Sequence, residues 1–391
     1  MMRPPSLATL RFVRGWLKPS GFLWETEVPI PGLGSAPERL GTLILPPPGE
    51  NRRLPGWVAL HGITRTGRHH PSLLRFARAL ASTGAVVLLP EVPRWRQLEL
   101  APEETRPTLE AALNGLSRHP RVDPRRMAAV GFSFGAPQTL AAALHPTLAP
   151  KLRGVAAFGG YAHLDSTLEF QFTGRHHWEG QSYRLPPDPY GRWVVGSRYL
   201  TKIPGLEDRT AVAHALWTLA AHAGDLDIPS WDGKLDVLKN ELASELRVED
   251  RSLFRLFAPP AMEWPDNGMV REFLPLIVSS ARATDPLLDV QAHPWNQWPP
   301  ESLPGESSQP RIHLMHGRGD MLIPFSETHR MAQLLKEYTP RVDITELFSH
   351  SHGQPGPRGL SRRMGASVRF LRAVGHLLSL PDPAVRPEGE G

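Results

Sequence analysis

Gly131-Phe132-Ser133-Phe134-Gly135 decides how this chain is read, because of what stands on either side of it. Upstream, Arg126-Met127-Ala128-Ala129-Val130 has the length and apolarity of a short buried strand. Downstream, Pro137 to Leu144 reads as a helix that tolerates proline in its first turn. Small residues at 131 and 135 let the backbone pass through a cramped strand-to-helix turn. Such a turn lifts the serine oxygen above the sheet, and the helix N-terminus favours negative charge developing there. The pentapeptide recurs by chance in glycine-rich chains, so the rest of the sequence has to agree with it. On this reading Ser133 is the candidate nucleophile.

Working outward, continuous apolar runs alternate with amphipathic stretches. Strands are expected at Leu23–Pro29, Leu40–Leu45, Trp57–Leu60, Ala85–Pro90 and Gly154–Phe158. Helices are expected from about Ser72 to Thr83 and Thr105 to Leu116. Strands without polar alternation imply a parallel sheet covered on both faces. From Ala162 to Gln309 the pattern changes to helical stretches (Asp208–Ala223, Leu235–Phe257, Met269–Ala283) separated by proline-rich joints, and seven of the eleven tryptophans fall here. A long aromatic insertion between two strands is expected to cap a pocket and shape what enters. The sheet resumes at Arg311–Gly317, followed by a helix from Ser326 to Tyr338, a strand Val342–Phe348 and a closing helix Leu360–Leu380. The division expected is a core of residues 21–161 and 310–380, a helical cap of 162–309, and a disordered tail of 381–391.

Composition excludes several classes. With no cysteine, disulfides, thiolate metal sites and cysteine nucleophiles are impossible. The net charge of +5 carries no run of five or six like charges and no basic face interleaved with aromatics, so nucleic acid is not an expected partner. No stretch approaches the ~20 apolar residues of a membrane span, and the N-terminus lacks a secretion signal, so cytoplasmic residence is expected. Histidine pairs at 69–70 and 176–177 lack ligand spacing and are expected on the surface or a pocket rim; no metal or cofactor is expected.

A serine needs a base, a group that orients the base, and donors for the oxyanion. Asp320 lies just beyond the strand Arg311–Gly317, at the edge where open α/β sheets build their sites. Phe348-Ser349-His350-Ser351-His352 follows the next strand. Spacing alone does not separate the two histidines; His350, nearer the strand end, is preferred as the base, with His352 as the alternative. The backbone N–H groups of Phe134 and of Ile63, in His61-Gly62-Ile63-Thr64, are the expected oxyanion donors.

Together, the elbow, His-Gly after an early strand, His-Gly-x-x-Asp-x-x-x-Pro and a strand-end histidine resemble the α/β-hydrolase superfamily over residues 40–160 and 310–380. The resemblance implies an eight-stranded, mostly parallel sheet, a Ser133–His350–Asp320 triad and a helical cap inserted after the nucleophile strand. The resemblance does not fix the substrate; a serine hydrolase of carboxylic esters is the expectation, and the apolar, tryptophan-rich cap suggests a small-molecule substrate with an apolar or aromatic part. Acyl-peptidase or acyltransferase chemistry, or a silent binding protein on the same fold, are the alternatives it leaves open. Oligomeric state is not legible.

Overall fold

Alternate residues of the central strands belong to different cores. Val58, Leu60, Ala129, Val155 and Ala157 pack on one face of the sheet, while Trp57, Ala59, Ala128, Val130, Ala156 and Phe158 pack on the other. A strand sends successive side chains to opposite faces, so an uninterrupted apolar run demands cover on both. The computed structural model describes residues 6–18, 23–30, 40–47, 52–226, 228–261, 263–293, 295, 298, 309–346 and 360–382.

The elements in chain order are α1 (Leu7–Leu17), β1 (Trp24–Pro29), β2 (Leu40–Leu45), β3 (Leu54–Leu60), α2 (Pro71–Ala81), β4 (Val86–Pro90), α3 (Pro93–Arg96), α4 (Thr105–Ser117), β5 (Val122–Phe132), α5 (Gly135–Ala143) and β6 (Gly154–Phe158). Then come α6 (Leu164–Thr173), a hairpin of β7 (Arg175–Trp178) and β8 (Gln181–Arg184), α7 (Tyr190–Tyr199), α8 (Thr210–Asp225), α9 (Leu235–Glu245), α10 (Arg251–Phe257) and α11 (Asn267–Thr284). Last are β9 (Arg311–Gly317), α12 (Ser326–Leu334), β10 (Arg341–Thr345) and α13 (Leu360–Ser379).

Eight strands form one sheet in the order β1-β2-β4-β3-β5-β6-β9-β10. Only β2 runs against its neighbours; every pairing from β4 to β10 is parallel. The chain leaves β3 for β4 on one side and returns to β5 on the other. That reversal opens a crevice between the carboxyl ends of β3 and β5, the place where open α/β sheets take ligands.

Several elements depart from the sequence reading. Helix α1, capped by Ser6 Oγ accepting from Thr9 N–H at 3.2 Å, inserts Phe12 edge-on against Phe76 of α2 at 5.7 Å, so the core reaches back before residue 21. The expected helix Leu235–Phe257 breaks in two. Leu246 and Arg247 are extended, and Asp250 accepts from Arg247 Nε at 2.8 Å and pairs with Arg209 at 3.2 Å, holding a tight turn between the halves. Helix α6 and the β7–β8 hairpin were not legible: six of the ten α6 residues are buried, which erases the amphipathic signature. His176, expected on a surface or rim, is instead buried on β7 against Phe170, Tyr183 and Phe325. The expected tail starts later than Pro381, since Asp382 accepts from Arg126 Nε at 3.2 Å; from residue 383 it lies outside the described residues.

The segment between β6 and β9 is moored to the sheet by one buried carboxylate. Glu327 of α12 accepts from the N–H groups of Ala162 (3.1 Å) and His163 (2.8 Å) and from Ser166 Oγ (2.7 Å), and pairs with Arg330. Its four donors make that burial tolerable.

Candidate active site

Ser133 stands between β5 and α5 with φ +53°, a left-handed conformation unusual for a residue with a side chain. Its N–H donates to Phe158 O at 2.8 Å and its carbonyl accepts from Ala136 N–H at 3.0 Å, which fastens both sides of the turn. The left-handed backbone costs about 1–2 kcal/mol. Glycines on either side are required by close approach: a Cβ at 131 would lie 2.4 Å from Gly135 O and from Thr139 Oγ1, and one at 135 would lie 2.4 Å from His61 O. The strand-to-helix elbow read from the sequence is present as such.

The loop after β3 runs directly beside it. A Cβ at Gly62 would sit 2.9 Å from Ser133 Cβ, and Ile63 lines the same cavity as Ser133 and Phe134. Neither the Ile63 nor the Phe134 N–H has an acceptor among the described residues.

Behind this loop lies a buried charge network that the sequence reading missed. Glu91, directly after β4, has a fully buried side chain; its Oε1 is 2.9 Å from His61 Nε2 and its Oε2 accepts from Arg68 Nη1 at 3.0 Å. Arg96 Nη1 lies 3.6 Å away, and Arg68 also binds Thr42 Oγ1 and pairs with Glu27. Burial pushes the Glu91 carboxyl up, but the hydrogen bond from His61 and the charges of His61, Arg68 and Arg96 outweigh it and hold the group below its ordinary range. His61 Nδ1 is 2.7 Å from Gly62 O. The network thus holds the loop that presents Ile63. A charged residue immediately off the apolar strand Val86–Pro90 was the one available signal.

Asp320 follows β9 and is 1% exposed. Its Oδ1 accepts from the N–H groups of Leu322 (2.9 Å) and Ile323 (3.1 Å), closing a tight turn. Leu322 and Ile323 line the cavity that Ser133 opens into. His316, on β9, lies 3.6 Å from Asp320 Oδ2, but its Nδ1 contacts Thr328 Oγ1 at 2.6 Å and its Nε2 faces Ile323 O at 2.8 Å. Both ring nitrogens of His316 are therefore engaged in holding the turn. His350 and His352 lie outside the described residues. The strand that leads to them pairs in parallel with β9, Thr345 opposite Gly317, and Arg318 N–H donates to Thr345 O at 2.8 Å. Both strands therefore leave the sheet side by side, on the edge that carries Ser133.

The cavity measures about 90 Å³ and is walled by Ile63, Phe134 and Tyr161 from the sheet side and by α6, α7 and Leu288 from the inserted segment. The tryptophans of that segment do not line it: Trp193 donates to Phe257 O at 3.0 Å, Trp217 to Gln97 O at 3.1 Å, and Trp295 to Val290 O at 3.1 Å. They brace the helices instead. Among the described residues no cluster of three or more histidine, aspartate or glutamate side chains could hold a metal ion, and no helix is long and apolar enough to cross a membrane.

A mostly parallel eight-stranded sheet, one reversed strand near its edge and a strained serine elbow after the fifth strand complete the architecture. This is the α/β-hydrolase fold. No protein-family model matches the chain, and no curated protein matches it in sequence. Solved structures similar to it include the acylaminoacyl peptidase of Pyrococcus horikoshii, at TM-score 0.47 and 14% identity, covering 97% of this chain and 44% of that one. An esterase from Rhizomucor miehei gives TM-score 0.42 and 14% identity over 96% of this chain and 99% of its own. Esterase B from Lactobacillus rhamnosis gives TM-score 0.45 and 12% identity over 95% and 92%. The chain thus spans less than half the length of the peptidase.

Proposed function

We propose that this protein is a serine hydrolase of carboxylic esters working through an acyl-enzyme. One observation carries the reading: Ser133 is held at a left-handed elbow with its side chain opening into a cavity that the Asp320 turn also lines. In the proposed cycle Ser133 Oγ attacks the ester carbonyl carbon while its proton passes to His350, or to His352 if that ring is the one presented. Asp320 orients the imidazole. The carbonyl electron pair moves to oxygen, where the N–H groups of Ile63 and Phe134 receive it. Collapse expels the alcohol, which takes the proton from the imidazolium; water then repeats the sequence on the acyl-enzyme and releases the acid. Nothing in this cycle calls for a cofactor or metal.

The segment 162–309 acts as the cap, over a core of residues 21–161 and 310–380 together with α1. The cavity walls support an apolar acyl or alcohol part. The cavity next to Ser133 measures about 90 Å³. Ser133→Ala is expected to lower turnover of p-nitrophenyl butyrate by ~10⁴-fold or more and to abolish fluorophosphonate labelling, with an unchanged unfolding transition. Unchanged turnover in that variant would overturn the reading. Amide and thioester substrates run beside the ester distinguish a peptidase or acyltransferase using the same residues.

A further inference from the structure

Two polar atoms in the wall of the Ser133 cavity have nothing to bond to. Thr167 Oγ1 and Gln171 Oε1 have no hydrogen-bond partner among the described residues, and each residue is 5% exposed. They stand four residues apart on α6, hence on one face of the helix, and both line the cavity. Buried polar atoms are nearly always paired, so two orphans at one spot point to a missing partner.

Neither atom is unpaired through loose placement. Gln171 Nε2 donates to Leu322 O at 3.4 Å, and reversing the amide would turn its oxygen toward that carbonyl oxygen. The acceptor therefore faces the other way. Gly191 of α7 makes room for the amide, since a Cβ there would lie 2.3 Å from Gln171 Nε2. The backbone N–H of Thr167 bonds His163 O at 3.1 Å, and its hydroxyl has no acceptor among the described residues. Of the tyrosine hydroxyls in the wall, Tyr190 donates to Ile63 O and Tyr199 to Asp285, while Tyr161 accepts from Gln138.

We propose that Thr167 and Gln171 read a hydroxyl on the acyl chain of the substrate, so that the esters this site prefers are hydroxyacyl esters. Gln171 Oε1 only accepts, and the threonine hydroxyl can donate. A single substrate hydroxyl answers both, donating to the amide and accepting from the threonine. The proposal rests on the ester-hydrolase reading and deepens it.

The test compares hydroxyl with methyl at one position. The p-nitrophenyl esters of 2- and 3-hydroxybutyrate are assayed against those of 2- and 3-methylbutyrate, with the wild-type protein, Gln171→Leu and Thr167→Val. At least one hydroxy ester is expected to exceed its methyl counterpart ~10-fold or more in kcat/KM, because a site built to bond a hydroxyl rejects the analogue without one. Each variant should bring that ratio to within about 2-fold of unity, through a loss of kcat/KM on the hydroxy ester that exceeds any change on its methyl counterpart. Wild-type ratios near unity at both positions would mean that a water serves the two atoms, and would overturn the proposal, as would ratios that both variants leave unchanged. Ser133-dependent turnover of the methyl esters reports the hydrolase reading separately. If no ester is turned over, calorimetry with 3-hydroxybutyrate against 3-methylbutyrate reads the same preference, and equal affinities overturn it.

Discussion

Replacing Glu91 by glutamine tests whether the charge network behind the elbow holds the Ile63 loop. The substitution keeps shape and volume but removes the charge and turns one oxygen into a donor. In the structure both oxygens accept from donors: Oε1 from Arg68 N–H at 3.4 Å and Oε2 from Arg68 Nη1 at 3.0 Å. Either amide orientation therefore sets an NH₂ against an existing donor. Breaking a buried ion pair by removing one partner costs about 3–5 kcal/mol, because the other charge stays buried without compensation. Arg68 keeps its pair with the half-exposed Glu27, which places the expected loss near the lower end, about 3 kcal/mol. Urea unfolding followed by tryptophan fluorescence measures it, with Glu27→Gln as a surface control expected to cost about 1 kcal/mol or less. Fluorophosphonate labelling should slow about tenfold in Glu91→Gln, corresponding to weakening of one oxyanion donor. A variant within about 0.5 kcal/mol of wild type, labelling at the wild-type rate, would refute the reasoning.

Ser133→Gly and Ser133→Ala should both be inactive, yet the glycine variant should be the more stable by about 1 kcal/mol, since only it relaxes the positive φ; thermal melts side by side check this. Burial depresses His176 and His293 to about 4, with Arg330, His177 and His316 adding to the effect at His176. Their folded pKa values lie below the unfolded value of about 6.5, so stability is complete above pH 6.5 and declines as pH falls toward 4; at pH 5 each costs about 2 kcal/mol, seen as a falling urea midpoint. Burial also pulls His376 down, to about 3, in the same direction. His350→Ala should lower acylation ~10³-fold or more, and His352→Ala less than ~10-fold; stopped-flow release of p-nitrophenol ranks them, and the opposite order would make His352 the base.

Much of the scaffold was legible because the physics of a doubly covered sheet leaves a plain trace. Val86–Pro90 and Gly154–Phe158 are apolar throughout, and β6 and β9 have the expected bounds. The turns that carry Ser133 and Asp320 were legible because they sit at strand ends. The inserted segment was harder. Helix α6 is buried on most sides and so shows no periodic stripe, although Gly174 with φ +67° marks its end. Tryptophan content suggested the pocket wall, but none of those rings lines the cavity, and Trp193 and Trp295 are buried among the helices instead, because a large apolar side chain fits a helix interface as well as a cavity. Thr167 and Gln171 carried no signal, since an unpaired atom is a property of three-dimensional neighbours rather than of residue type.

The mooring of α6 by Glu327 divides the insertion into two parts of different evolutionary freedom. The inner part, carrying the residues that face the serine, is tied to the scaffold through main-chain donors at 162 and 163, so its position is inherited with the sheet. Helices α8 to α10 supply none of the cavity wall. A library that randomises only the exposed positions of these helices, keeping Leu216 and Phe257, which pack on α7, would leave that wall where it is.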